Sequence, residues 1–288
     1  MAEYKLGYTG AQIDTAIGRV LDGVPYNLLD NSDFTNPVNQ RGKTSYTGEA
    51  SKLTYTIDRW NIWDTHAKTE VTASGLKITG IDVTGYLAQI FENPDKMIGK
   101  TYTLAAGMSN GTIICGTATV PSITQTEEYY ISAIPASDTT PGLRLQVAGN
   151  LSKVRFQFSI KPGKTCIIAW AALYEGSYTA ETLPAYQPKG YAAELAECRR
   201  YYKVIDVNVA PWLFEGTTIR RYYVGYEPMR TAPTVDVSGL KEYGTWTDLG
   251  SALNPYNIKN NRVLLNATSE TTSTRLYIGG SIALSADL

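Results

Sequence analysis

Residues 58–63, Asp58-Arg59-Trp60-Asn61-Ile62-Trp63, set two indoles, a guanidinium, an amide and a carboxylate within one short segment. This mixture suits ring-shaped polyols, whose C–H faces stack on aromatic rings and whose hydroxyls take directed donors and acceptors. On a regular strand alternate side chains share a face. Trp60 then sides with Asp58, and Trp63 with Arg59 and Asn61, so one indole enters a core and the other faces out. Trp63, with Asn61 beside it, is the ligand candidate. A second set of aromatics lies toward the C-terminus, including Trp212, Tyr222, Tyr223, Tyr226, Tyr243, Trp246 and Tyr256, close to Arg220, Arg221 and Arg230. Arg221, Tyr223 and Trp246 are the candidates there, for stacking on and hydrogen-bonding an anionic polymer. The same residue types also pack subunit interfaces, and the sequence leaves both readings open.

Catalytic patterns are missing. The single histidine, His66, has no HExxH context, and there is no P-loop and no GxSxG elbow. Asp58, Asp64, Glu70, Asp82, Glu92, Glu127 and Glu128 are scattered, and Glu127 and Glu128, being adjacent, point to opposite faces of any strand. The expectation is a binding protein and not an enzyme. Lys plus Arg (26) nearly balances Asp plus Glu (27), which speaks against nucleic acid as partner. Cys115, Cys166 and Cys198 are odd in number and lack metal spacing, so they read as reduced and buried. The start lacks a signal-peptide pattern and no apolar run approaches a membrane span, so a soluble protein without membrane insertion is expected.

The elements that must hold these residues are mostly β. Residues 8–24 carry a helix signal: Thr9 and Gln12 form a capping box, and Ile13, Ile17, Val20 and Val24 form an apolar seam that needs a partner. That partner is either the chain's own β structure or other copies around a symmetry axis. From Asn27 to Pro188 short apolar or alternating runs are separated by turn-rich pieces, the pattern of a sandwich or barrel. VRFQFSI alternates, with Val154, Phe156, Phe158 and Ile160 on one face. CIIAWAALY is apolar on both faces and is expected centrally. Pro184, Pro188 and Gly190 mark a boundary. A short helix with Leu195, Arg199 and Tyr202 on one stripe follows, then more strands. The expected layout is an N-terminal helix over 1–25, a β-sandwich over 26–188, and a linker helix leading into a second β-sandwich, together 189–288.

Two stretches carry a resemblance. NLLDNSDFTNPVNQRG (27–42), with IDRWNIW and YLAQIFENPDKMIGKTYTLAAG after it, resembles the opening of jelly-roll carbohydrate-binding domains of phage tail and prophage proteins, akin to galactose-binding-like and CBM4/9-type modules. WAALYEGSYTAETLPAYQPKGYAAELAECRRYYKV (170–204) resembles the junction in phage tail fibre proteins between such a jelly roll and a C-terminal head domain. The matching stretches cover about a third of the chain; after Tyr202 the chain matches no pattern of this kind. The resemblance implies a homotrimeric receptor-binding protein of a bacteriophage or prophage tail, located in the virion tail and assembled in the host cytoplasm. Its partners would be other tail or baseplate proteins and a bacterial surface polysaccharide. The alternatives are a structural tail adaptor and a tail-associated polysaccharide depolymerase. The resemblance also implies that Trp60 belongs to the buried signature, and that a structural calcium sits near the first strand. Asn31, Ser32 and Asp33 offer oxygens of the kind such a cation takes, and equally the makings of an Asx turn.

Overall fold

The computed structural model describes residues 25–121, 128–149, 153–209, 213–215, 219–243, 253–268 and 277–287. The capping box and apolar seam of residues 8–24, and Trp212 and Trp246, lie outside the described residues.

Residues 45–175 supply β1 (Ser45–Thr47), β2 (Leu53–Tyr55), β3 (Trp60–Trp63), β4 (Ala67–Thr72), β5 (Gly75–Gly80), β6 (Gly85–Ile90), β7 (Thr101–Met108), β8 (Ile113–Thr119), β9 (Tyr129–Ile134), β10 (Gly142–Val147), β11 (Val154–Ile160) and β12 (Thr165–Glu175). They form two antiparallel six-stranded sheets, ordered β1-β4-β5-β12-β7-β8 and β2-β3-β6-β11-β10-β9. Both bury side chains in one core, Leu76, Ile78, Leu104 and Ile168 from the first and Ile62, Leu87, Leu145 and Phe156 from the second. The architecture is a β-sandwich.

Trp60 is fully buried at its centre. Its ring lies 5.1 Å from Phe34, 6.0 Å from Phe156 and 5.8 Å from Phe158, and its indole N–H donates to the Asn31 carbonyl at 2.9 Å. A large ring whose polar tip is satisfied is the cheapest way to fill such a space. The alternation in VRFQFSI is realised, with Val154, Phe156, Phe158 and Ile160 buried. The same alternation turns Arg155, Gln157 and Ser159 to the outer face.

The 27–42 stretch knits the sandwich shut. Asn27 donates to Ser32 Oγ and the Ala171 carbonyl, and accepts from the Leu29 and Leu173 amides. Asn31 adopts a left-handed φ of 50°, which Asn tolerates better than most residues. Its amide donates to the Val38 and Asp58 carbonyls and accepts from the Val38 N–H.

β12 lies between β5 and β7, inside the sheet. Its second apolar face is covered by the chain that follows it. Tyr178, Leu183 and Tyr186 pack against Ala172 and Tyr174, and the Tyr186 ring lies parallel to Trp170 at 4.7 Å.

One helix, α1 (Tyr191–Cys198), leads to the second unit. The expected stripe of Leu195, Arg199 and Tyr202 is corrected: Glu194 and Cys198 are the buried residues, and Tyr202 already begins a strand. The buried Glu194 accepts the Asn31 N–H at 2.7 Å, which anchors the helix to the 27–42 stretch.

The second unit contains β13 (Tyr202–Val209), β14 (Leu213–Glu215), β15 (Ile219–Gly225), β16 (Thr234–Asp236), β17 (Leu240–Tyr243), β18 (Leu253–Lys259), β19 (Arg262–Thr268) and β20 (Tyr277–Ser285). One sheet runs β13-β20-β16, with β17 also pairing β20, and the other runs β14-β15-β19-β18. Val207, Ile278 and Ile282 of the first share a core with Tyr222, Val263 and Leu265 of the second.

Candidate functional site

The outer face of the β2-β3-β6-β11-β10-β9 sheet carries a groove of about 350 Å³ that draws side chains from all six strands. Strand register explains how. Asn61 pairs with Ala88, Ala88 with Gln157, and Gln157 with Arg144, so four consecutive strands place one row across the sheet. In the next row Arg155 pairs with Gln146, and Gln146 with Tyr130. Ala88 is nearly fully buried and keeps the floor low. Trp63 and Tyr130 are each about half exposed, at 53% and 50%.

A continuous hydrogen-bonded network fixes the polar members. Arg144 Nε donates to Gln157 Oε1 at 2.8 Å. Gln157 donates to Gln146 Oε1, and Gln146 donates to Glu128 Oε1. Tyr130 donates to Glu128 Oε2 at 2.9 Å, and Arg155 reaches Glu128 Oε1 at 3.4 Å. The Arg144 guanidinium lies over two rings, 4.0 Å from the centre of Tyr86 and 4.1 Å from that of Tyr130. Stacking on aromatic faces holds a guanidinium flat. Partial burial, with the Glu128 carboxylate beside it, raises the Tyr130 hydroxyl above its usual pKa and keeps it protonated as a donor. Two donors on the groove, Asn61 Nδ2 and Arg155 Nε, are buried without a hydrogen-bond partner among the described residues. An unpaired buried donor is costly, so such groups point to a ligand's acceptor or to an ordered water.

Asn61 and Trp63 thus line one groove. Arg59 does not join them. It has a left-handed φ of 72°, which breaks the strand alternation just before β3. Its guanidinium turns instead to Asp30 at 3.1 Å, to the Ile90 carbonyl at 3.0 Å and to the ring of Tyr201 at 3.6 Å. Asp58, like Trp60, is buried, and it is paired with Arg41 at 2.9 Å.

Arg221 and Tyr223 alternate with the buried Tyr222 and Val224 on β15, so they share its outer face. Arg221 lies 5.9 Å from the centre of the Tyr256 ring. Tyr223, with Tyr226, Lys203 and Glu227, lines a separate cleft of about 620 Å³ that Arg221 does not reach. Trp246, the third candidate of that set, is outside the described residues.

The residues at Asn31 and Asp33 do not fit a calcium. Asn31 is 1% exposed and its side-chain oxygen and nitrogen are both engaged by backbone. Asp33 Oδ1 accepts from the Thr35 N–H and hydroxyl, which is an Asx turn. Among the described residues no three His, Cys, Asp or Glu side chains are placed to hold a metal ion. His66 hydrogen-bonds Asp82 at 2.8 Å, and neither lines the groove.

Tyr86, Tyr130, Arg144, Gln146 and Gln157 escaped the sequence reading, because a strand's spatial neighbours are not written in its sequence. For Arg155 and Gln157 a signal existed: the VRFQFSI alternation that turns four apolar residues inward turns these two outward. No protein-family model matches the chain, and no curated protein matches it.

Proposed function

We propose that this protein is a glycan-binding protein whose site is the groove across β3, β6, β11, β10 and β9, serving as the receptor-binding protein of a bacteriophage or prophage tail. The first sandwich is read as the jelly-roll carbohydrate-binding domain, and the second as the head domain. The observation that carries the binding role is the groove itself: Trp63 and Tyr130 offer exposed rings beside a row of amides and guanidinium groups. Stacking faces beside directed donors are what a sugar ring needs. The tail location rests on the resemblance of residues 27–42 and 170–204 to phage tail proteins.

An open groove of this size grips weakly, and several copies on one particle would convert later contacts into intramolecular ones. The apolar seam Ile13, Ile17, Val20 and Val24 supports such an assembly, proposed as a homotrimer that joins other tail or baseplate proteins. Binding without cleavage is favoured over a depolymerase. Glu128, the one carboxylate lining the described groove, has both oxygens held by its neighbours. Glycoside hydrolysis uses a pair of carboxylates across the scissile bond.

The test is retention of bacterial cells and their extracted surface polysaccharides by the purified protein, with polymer length assayed in the same tubes. Retention without shortening is expected. Shortening would establish a depolymerase, and retention of no cell or polymer while the protein binds another tail component would establish an adaptor.

A further inference from the structure

Among the described residues the groove is richer in donors than in acceptors, and its surplus is cationic. Glu128 is its one carboxylate among the described residues, and its oxygens are taken by Gln146, Arg155 and Tyr130. The side-chain oxygens of Gln146 and Gln157 are taken by Gln157 and Arg144. On the donor side, Arg155 Nε and Asn61 Nδ2 are buried without an acceptor among the described residues. Arg144 spends only its Nε within the network and has no carboxylate partner among the described residues. Two guanidinium groups therefore face one carboxylate, which lies against Arg155.

Geometry adds to the count. Arg144 pairs with Gln157 and Arg155 with Gln146, so the two arginines are diagonal neighbours on adjacent strands. Diagonal neighbours stand within reach of one group bound between long side chains. Arg144 is held flat against Tyr86 and Tyr130, which leaves its terminal N–H edge for a planar or tetrahedral oxyanion.

We infer that the groove selects an acidic glycan, with a sugar carboxylate or phosphate seated on Arg144 and Arg155 and a sugar face on Trp63. The inference rests on the reading of the groove as a glycan site. A neutral sugar supplies hydroxyl acceptors but leaves the Arg144 charge uncompensated. An anion between the two arginines offsets the charge of Arg144 and can accept two parallel N–H bonds from its guanidinium.

The experiment is binding of glucuronate, N-acetylneuraminate and glucose 6-phosphate to the full chain, followed by ligand-observed NMR, beside glucose, acetate and inorganic phosphate. At least one acidic sugar is expected to bind about tenfold more tightly than glucose, with an advantage that shrinks as salt rises. Glucuronate against glucose 6-phosphate separates carboxylate from phosphate. Arg144→Gln should erase the advantage and Arg144→Lys should keep part of it, with melting curves confirming that both fold; Arg155→Gln provides an independent variant. Trp63→Ala should weaken acidic and neutral sugars alike. Equal binding of glucose and the acids, lost in Trp63→Ala, would overturn the acidic preference and leave the glycan groove standing. An advantage undiminished in both arginine variants would overturn it as well, as would acetate or phosphate binding as tightly as the acidic sugars. Binding of none of the sugars would overturn the preference and the glycan reading together.

Discussion

Arg41 and Asp287 form an ion pair of 2.6 Å that ties the 27–42 stretch of the first sandwich to the last described residue of the second. The same guanidinium meets Asp58 at 2.9 Å and lies 3.9 Å from the centre of the Tyr202 ring. Gln40 donates to the Tyr202 carbonyl at 2.7 Å, and Tyr201 donates to Glu92 at 2.8 Å. The junction of the two units is thus polar, ionic and largely buried.

Its ionisation makes stability depend on pH. Burial pushes the Asp58 carboxyl up to about 6 from its ordinary 3.8, against the opposing pull of the Gln40 amide and Arg41. Burial also raises Asp287. A carboxylate raised in the folded state binds its proton more tightly folded than unfolded. The stability it contributes is fully present below the ordinary value and is lost as pH rises through the folded value. The stability of the native chain relative to Asp58→Asn should therefore decline between pH 3.8 and about 6 and level off above. Denaturant unfolding of both proteins across that range reads the difference, and a difference that stays constant would refute the assignment.

The two tryptophans of β3 should behave oppositely. Trp60 is fully buried among Phe34, Phe156 and Phe158, so Trp60→Ala is expected to cost about 3–5 kcal/mol of stability. Trp63 is 53% exposed, so Trp63→Ala should change stability by less than about 1 kcal/mol. Equilibrium unfolding of the two variants decides this. Similar losses from both would mean that Trp63 also serves the core.

Tyr186 holds the chain after β12 against the sandwich. Its ring is parallel to Trp170, and its hydroxyl lies 3.2 Å from Ser32 Oγ. Tyr186→Ala should cost about 1–3 kcal/mol and raise protease sensitivity between residues 176 and 190. Tyr186→Phe keeps the stack and should retain most of the stability. Limited proteolysis of both variants checks it, and a phenylalanine variant cleaved as readily as the alanine one would contradict the role given to stacking.

Much of the scaffold was legible because strand periodicity is local. Phe156 and Phe158 announce their inward face by alternation, and the double-sided apolarity of β12 has its cause in Tyr178, Leu183 and Tyr186 covering its outer side. Asn61 and Trp63 fall on one side of β3 for the same reason. Arg59 was not legible, because its left-handed backbone accompanies contacts with Asp30, Ile90 and Tyr201, the last far along the chain. The other half of the groove was hidden because β11 inserts between β6 and β10, a pairing that no local pattern records. Asn31 offered a side-chain oxygen to a cation in the sequence, yet closing the loop uses it first: the Val38 N–H donates to that oxygen, and Asn31 Nδ2 donates to the Asp58 carbonyl.

The central claim is that the first sandwich reads the glycan through Trp63, and not the second through Tyr223. Both side chains are about half exposed, at 53% and 48%, so either can be removed without opening a core. The most direct measurement is the affinity of Trp63→Ala and Tyr223→Ala for a bacterial surface polysaccharide that retains the native chain. The account predicts a loss of about tenfold or more for Trp63→Ala and near-native affinity for Tyr223→Ala. Full affinity in Trp63→Ala with loss in Tyr223→Ala would contradict it and move the site to the second sandwich.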